Sequence, residues 1–120
     1  VDDDDCCAEC GGTGEARREF LHVDDAADAL VLLMRVHESP EPINVGTGSD
    51  VSVCELAVMV AKAAGYRGDV AWDRSRPDGM PAKCLETSKL TVLGFHPRVS
   101  LEEGIRRTVA EYREVKRRGA

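Results

Sequence analysis

The fold class is decided by residues 18–37, which read REFLHVDDAADALVLLMRVH. The residues before Asp24 are predicted to form a short extended segment, and Asp24 is a favourable N-cap for a helix. The apolar residues that follow recur at helical spacing: Ala27, Leu30, Val31, Leu33 and Met34. We therefore expect a helix over about 24–37, ended by the prolines at 40 and 42. An extended segment that leads into an amphipathic helix indicates an α/β protein.

The rest of the chain continues this alternation. Further strands are predicted at 43–45, 70–72 and 83–85, and further helices at 53–64, 87–94 and 101–118. The helix at 53–64 has the clearest signals, because Ser52 and Glu55 match a capping box and Gly65 suits a left-handed C-terminal cap.

The two remaining helices also carry end signals. Thr87 is predicted to cap the first of them and Gly94 to end it. Ser100 and Glu103 match a second capping box at the start of the last helix. The side chains expected on the buried face of that helix are Leu101, Ile105, Val109 and Tyr112.

Composition points to one small domain without a membrane span. The chain has 120 residues, 42% of them hydrophobic, and a net charge of −6. No apolar run is long enough to cross a membrane and no signal peptide is evident, so we expect no membrane partner and a cytoplasmic location. The acidic balance argues against a nucleic-acid partner, because such binding depends on Lys and Arg.

The N-terminal segment differs from the rest of the sequence. Residues 1–10 contain four consecutive aspartates and three cysteines, and we expect a disordered or aberrant acidic, cysteine-rich tail ahead of a body at 11–120. Cys7 and Cys10 form a C-x-x-C, but a zinc site would need a second half-site, which the sequence lacks. Reduced thiols and no metal site are the expectation. Because the chain begins with Val1, we also expect a fragment or a processed product.

Two glycine turns resemble phosphate-binding loops. Gly46-Thr47-Gly48 follows a predicted strand and precedes a helix, but Val51 stands where the dinucleotide fingerprint G-x-G-x-x-G requires glycine or alanine. A strand-to-helix turn is the favoured interpretation. The Gly12-Thr13-Gly14 turn is not followed by a helix start and fails the same test.

Catalytic patterns are weak. Tyr112 and Lys116 match Y-x-x-x-K, but a tyrosine at helical spacing on a terminal helix favours a structural role. The three histidines are scattered. His22 lies close to two aspartates and could be a general base, although a structural hydrogen bond is the commoner use. We therefore predict no catalytic residue in this chain.

Basic side chains flank two loops. Arg17 and Arg18 follow the first glycine turn, whereas Arg74, Arg76 and Lys83 bracket the loop at 77–81. Arginine and lysine both bind phosphate, and two basic loops that converge on one cleft would suit a diphosphate. Ordinary surface charges explain the same residues equally well.

Four segments together resemble one enzyme family. They are GTGEARREFLHVDD at 12–25, INVGTG at 43–48, SRPDGMPAK at 75–83 and SLEEGI at 100–105. This combination is similar to the C-terminal part of members of the GDP-L-fucose synthase family. These proteins are extended short-chain dehydrogenases/reductases. The resemblance implies a C-terminal substrate-binding lobe plus an edge piece of a Rossmann-type sheet.

The resemblance also implies a function for the complete enzyme. Members of the family use NADP(H) to epimerise GDP-4-keto-6-deoxy-mannose at C3 and C5 and to reduce it at C4, and full-length members are typically homodimers. The cofactor fingerprint and the catalytic Ser, Tyr and Lys belong to the N-terminal nucleotide-binding half, which this chain lacks, so we expect no cofactor to bind this fragment alone.

What the resemblance carries over to this chain is substrate binding. It implies that Arg18, Arg76, Asp78 and Lys83 lie near the GDP-sugar. Whether the chain is itself an enzyme stays open. The alternative is a non-catalytic remnant or interaction module of another nucleotide-sugar epimerase/dehydratase.

Overall fold

The computed structural model of the protein describes residues 12–119, so the predictions for residues 1–10, including Cys7 and Cys10, lie outside the described part. Three two-residue strands, β1 (Arg17–Arg18), β2 (Val51–Ser52) and β3 (Ala82–Lys83), form a sheet in the order β2-β1-β3. The central strand β1 is antiparallel to β2 and parallel to β3.

Four helices accompany the sheet: α1 (Val23–Val36), α2 (Val53–Ala64), α3 (Ser88–Val92) and α4 (Leu101–Gly119). Helix α2 confirms its prediction at both ends. Ser52 Oγ accepts from the Glu55 N–H at 3.0 Å, and the Glu55 carboxylate accepts from the Ser52 N–H at 2.8 Å. Gly65 adopts the left-handed conformation, with φ of 67°. No helix among residues 12–119 is long and apolar enough to span a membrane.

The start of α1 differs from its prediction. The N-cap is His22 and not Asp24, since His22 Nδ1 accepts from the Asp24 N–H at 3.2 Å. Asp25 is 2% exposed and both its carboxylate oxygens lie 3.1 Å from the Arg98 N–H. The Val99 N–H also donates to Asp25, at 2.9 Å. Asp25 therefore ties the start of α1 to the segment that leads into α4.

Only a narrow face of α1 is buried. The core consists of Ala29, Leu90 and Phe95, with partly buried Leu21, Leu32, Leu33, Ile43 and Val45 packed against it. Of the predicted set on α1, only Leu33 contacts this core. The outward face of α1, which we define as Leu30, Val31 and Met34, is exposed, with Leu30 at 57% and Met34 at 87%. Almost every position of α1 after Asp28 is apolar, so periodicity could not select the buried face.

Two predicted strands do not form. Residues 43–45 and 70–72 carry no strand in the described part of the chain, and the strand predicted at 83–85 is only β3 at 82–83. A strand requires a ladder of hydrogen bonds to a neighbour, and no segment within 12–119 provides one for 43–45. Ile43 and Val45 pack against the core instead.

Helix α4 packs against α2, with Leu101, Ile105 and Val109 partly buried. Tyr112 was expected to be buried with them but is 61% exposed. Only one of the two hydrogen bonds of the second predicted capping box forms. The Glu103 N–H donates to Ser100 Oγ at 3.2 Å, whereas the Glu103 carboxylate pairs with Arg106 and Arg107, each at 2.7 Å.

Helix α3 is shorter than predicted. It covers Ser88–Val92, and the Thr87 side chain makes no capping hydrogen bond. Gly94 does follow the helix end as expected, with φ of 99°.

Candidate functional site

The sheet brings two of the predicted binding residues together. Arg18 and Lys83 are partners in the register of the parallel strands β1 and β3. Partners in register project their side chains from the same face of a sheet, and adjacent strands lie about 4.8 Å apart. Two cations therefore start side by side on one face. Arg17, one residue earlier, projects from the opposite face, where its Nε lies 2.8 Å from Asp50.

Arg18 is partly anchored and partly available. Its Nη1 donates to the carbonyls of Arg17 and Met80, at 2.7 and 2.8 Å. A guanidinium has five N–H donors, and within residues 12–119 its Nε and Nη2 make no hydrogen bond. The backbone anchors thus fix the side chain and leave donors for a ligand.

Arg18 and Lys83 line two different cavities of this chain. Lys83 is exposed and lines an open cavity of about 580 Å³ together with Glu19, Met80 and Cys84. Arg18 lines a second cavity of about 360 Å³, whose other residues include Arg98. The register places the two residues side by side on one sheet face, although each lines its own cavity.

The other two predicted binding residues have internal partners. Arg76 Nε lies 3.2 Å from the Asp73 carboxylate. Asp78 accepts from Thr13 Oγ1 at 2.8 Å and from the Thr13 N–H at 2.7 Å, and these bonds hold its pKa below the usual range. Asp78 thus secures the glycine turn at 12–14, and neither residue lines the two cavities described above.

The turn at Gly46–Gly48 is bound to an internal carboxylate. Glu19 Oε1 accepts from the Thr47 N–H and, at 3.0 Å, from the Gly48 N–H. A phosphate cradle needs such N–H groups free for its ligand. In this turn Glu19 occupies those N–H groups. The turn is not the strand-to-helix turn that was predicted, because within residues 12–119 no strand directly precedes it and β2 lies between it and α2.

Glu19 is the residue that sequence reasoning missed. Its Oε2 also accepts from the Leu85 N–H at 2.7 Å. Partial burial raises the pKa of Glu19, but the N–H groups of Leu85, Gly48 and Thr47 outweigh this effect, so the pKa is lowered and the carboxylate stays ionised. The available sequence signal was an acidic residue at the start of an otherwise apolar extended segment.

The weak catalytic patterns acquire structural roles. Lys116 Nζ lies 5.6 Å from the centroid of the exposed Tyr112 ring, which is a cation–π arrangement on the surface of α4. His22 acts as the N-cap of α1. Among the described residues no group of three or more His, Cys, Asp or Glu is arranged to hold a metal ion.

Comparison with known proteins agrees with the α/β architecture. Over 103 residues, 86% of this chain, the sequence is 47% identical to a probable GDP-L-fucose synthase 1 from Oryza sativa subsp. japonica. The model of the NAD dependent epimerase/dehydratase family matches residues 7–46. The chain is thus similar to this family over that segment. It covers 31% of the rice protein and so spans about a third of its length.

Two solved structures support the fold. The UDP-glucose 4-epimerase of Thermotoga maritima, solved with UDP-glucose, superposes with a TM-score of 0.77 and 31% identity, over 88% of this chain and 34% of that enzyme. The GDP-mannoheptose C4 reductase of Campylobacter jejuni, solved with NADP bound, superposes with a TM-score of 0.74 and 33% identity, over 85% of this chain and 33% of that enzyme. The fold is thus a piece of an epimerase-type α/β enzyme.

Proposed function

We propose that this chain is the part of a GDP-L-fucose synthase-type enzyme that binds the nucleotide sugar. The observation that carries the proposal is the register of β1 and β3, which sets Arg18 beside Lys83 on one face of the sheet. A diphosphate presents oxygens that both cations can contact, Arg18 through paired N–H donors and Lys83 as a point charge. The 47% identity to a GDP-L-fucose synthase favours GDP as the nucleotide.

The complete enzyme would epimerise GDP-4-keto-6-deoxy-mannose at C3 and C5 and reduce it at C4 with NADP(H). The N–H groups of the turn at Gly46–Gly48 are already bonded to Glu19, so binding of the cofactor would fall to residues outside the described part. The N-terminal half of such an enzyme would supply the cofactor site and the catalytic Ser, Tyr and Lys. Arg76 and Asp78 would then support the loop beside the nucleotide.

Calorimetric titration of the chain with GDP tests the proposal. Each charge-assisted contact to phosphate contributes about 1.5–3 kcal/mol, so Arg18→Ala and Lys83→Ala should each weaken GDP binding about tenfold or more. Arg17→Ala is the matched control. It removes the same charge from the opposite face of the sheet, where the Arg17 guanidinium is paired with Asp50. GDP affinity of the control should stay within about twofold of the wild type, a difference below about 0.5 kcal/mol.

Equal affinity for GDP and inorganic phosphate, with Arg18→Ala indifferent, would contradict the proposal. A folded chain that binds neither ligand would favour the non-catalytic interaction module.

A further inference from the structure

The ladder between β1 and β3 is short. Its paired residues end at Arg18 and Lys83, and two-residue strands make few hydrogen bonds. Immediately beyond this point the Glu19 side chain bonds to the segment that follows β3. Its Oε2 accepts from the N–H of Leu85, two residues after Lys83, at 2.7 Å. A carboxylate side chain therefore continues the connection between the two strands where the backbone connection stops.

The same carboxylate holds a third segment. Its Oε1 accepts from the N–H groups of Thr47 and Gly48. Hydrogen bonds to an ionised acceptor are about twice as strong as neutral ones, so one side chain links three segments that are distant in sequence.

Residue 46 fits this arrangement. A Cβ at Gly46 would lie 2.0 Å from Glu19 Oε1, well inside van der Waals contact. The absence of a side chain at Gly46 is what allows the carboxylate to reach the turn. Glu19 and Gly46 thus form a complementary pair: the Glu19 carboxylate fills the space that a side chain at residue 46 would need.

We infer that Glu19 is a positioning residue, which holds Lys83 and the turn at Gly46–Gly48 in a fixed relation to Arg18 and thereby sets the spacing of the two cations that contact the ligand. The inference rests on the proposed function, since it specifies how the same site is held together. Glu19 itself contacts no ligand, and it acts through the backbone of Leu85 and of the turn.

The first test is the Glu19→Gln variant, titrated calorimetrically with GDP. Glutamine has one acceptor oxygen, so its amide nitrogen would face either the Leu85 N–H or the turn N–H groups and break one connection. GDP affinity should fall about fivefold or more. Glu55→Gln is the matched control, because it makes the same chemical change in a carboxylate that also accepts a backbone N–H, that of Ser52 at 2.8 Å, and that lines neither cavity.

Both variants should lower the melting temperature, whereas only Glu19→Gln should lower GDP affinity beyond about twofold. Equal loss of affinity in the two variants would reduce Glu19 to a general stabilising residue and overturn the inference.

A second variant protects the test against misfolding of the first. Gly46→Ala displaces the carboxylate from the other side and should weaken GDP binding to a similar extent. Because the two changes break the same contact, the double variant should be no weaker than the worse single variant. Additive losses would contradict the pairing of Glu19 with Gly46.

Amide hydrogen exchange tests the inference without any ligand. The N–H groups of Gly48 and Leu85 should exchange slowly in the wild type, and at least one of them should exchange at least tenfold faster in Glu19→Gln. A wild-type chain that binds no GDP would refute the proposed function, and the exchange rates would then decide the inference about Glu19 alone. Unchanged exchange at both amides in Glu19→Gln would overturn it.

Discussion

Replacement of Asp25 by alanine should be the most damaging polar substitution in the described part of the chain. The Asp25 carboxylate is 2% exposed and accepts from the N–H groups of Arg98 and Val99. Removing it leaves two donors without a partner, at about 1–3 kcal/mol for each one that water cannot reach. Val99 is partly buried and Arg98 is exposed, so we expect a total loss of about 2–4 kcal/mol.

That loss is a large share of the stability of a small domain, which is about 5–15 kcal/mol. It should lower the melting temperature by about 8 °C or more. Chemical denaturation followed by circular dichroism measures the free energy of unfolding directly. Asp24→Ala is the matched control, because its side chain is 70% exposed and its 3.7 Å pair with His22 is worth at most about 1 kcal/mol.

The reasoning would be refuted if the free energies of unfolding of Asp25→Ala and of the Asp24→Ala control differed by less than about 0.5 kcal/mol. Fast exchange of the Arg98 and Val99 amides in the wild type would refute it as well, since the hydrogen bonds would then not protect them.

Two further predictions concern α4 and the outward face of α1. The pairs with Arg106 and Arg107 lower the pKa of Glu103 from 4.5 to about 2, so their contribution to stability is complete above about pH 4.5 and is lost as the pH falls towards 2. Helicity measured by circular dichroism should decrease in that window. A Glu103→Gln variant that shows the same decrease would contradict this. Because Leu30, Val31 and Met34 are exposed, we expect the chain to self-associate. Residues 24–48 should be the least protected from hydrogen exchange, apart from the amides of Thr47 and Gly48 that are bonded to Glu19. Met34→Lys should shift the sedimentation profile towards monomer without lowering the melting temperature, and a wild-type monomer with slow exchange at 43–46 would show that this face needs no partner.

The candidate site was only partly predictable from sequence. The basic residues could be named because Arg and Lys beside loops are recognisable phosphate ligands. Which of them meet could not be predicted, since the pairing of Arg18 with Lys83 depends on strands far apart in the chain. Arg76 was named with the same justification, yet Asp73 engages it in the structure.

Sequence alone determined the features whose causes are local. Helix α2 begins and ends where its capping box and Gly65 predict, because each signal acts within one helical turn. The similarity to the epimerase/dehydratase family was likewise recognisable in short motifs that need no folded neighbour.

Tertiary structure alone decided the features that depend on distant neighbours. Helix α1 is apolar on almost every side, so only its contacts with Leu90 and Phe95 select the buried face. Residues 43–45 have strand propensity but no strand beside them within 12–119, and β propensity is realised only when a partner completes the ladder. The role of Glu19 follows from donors contributed by two other segments, and no local pattern encodes where those donors lie.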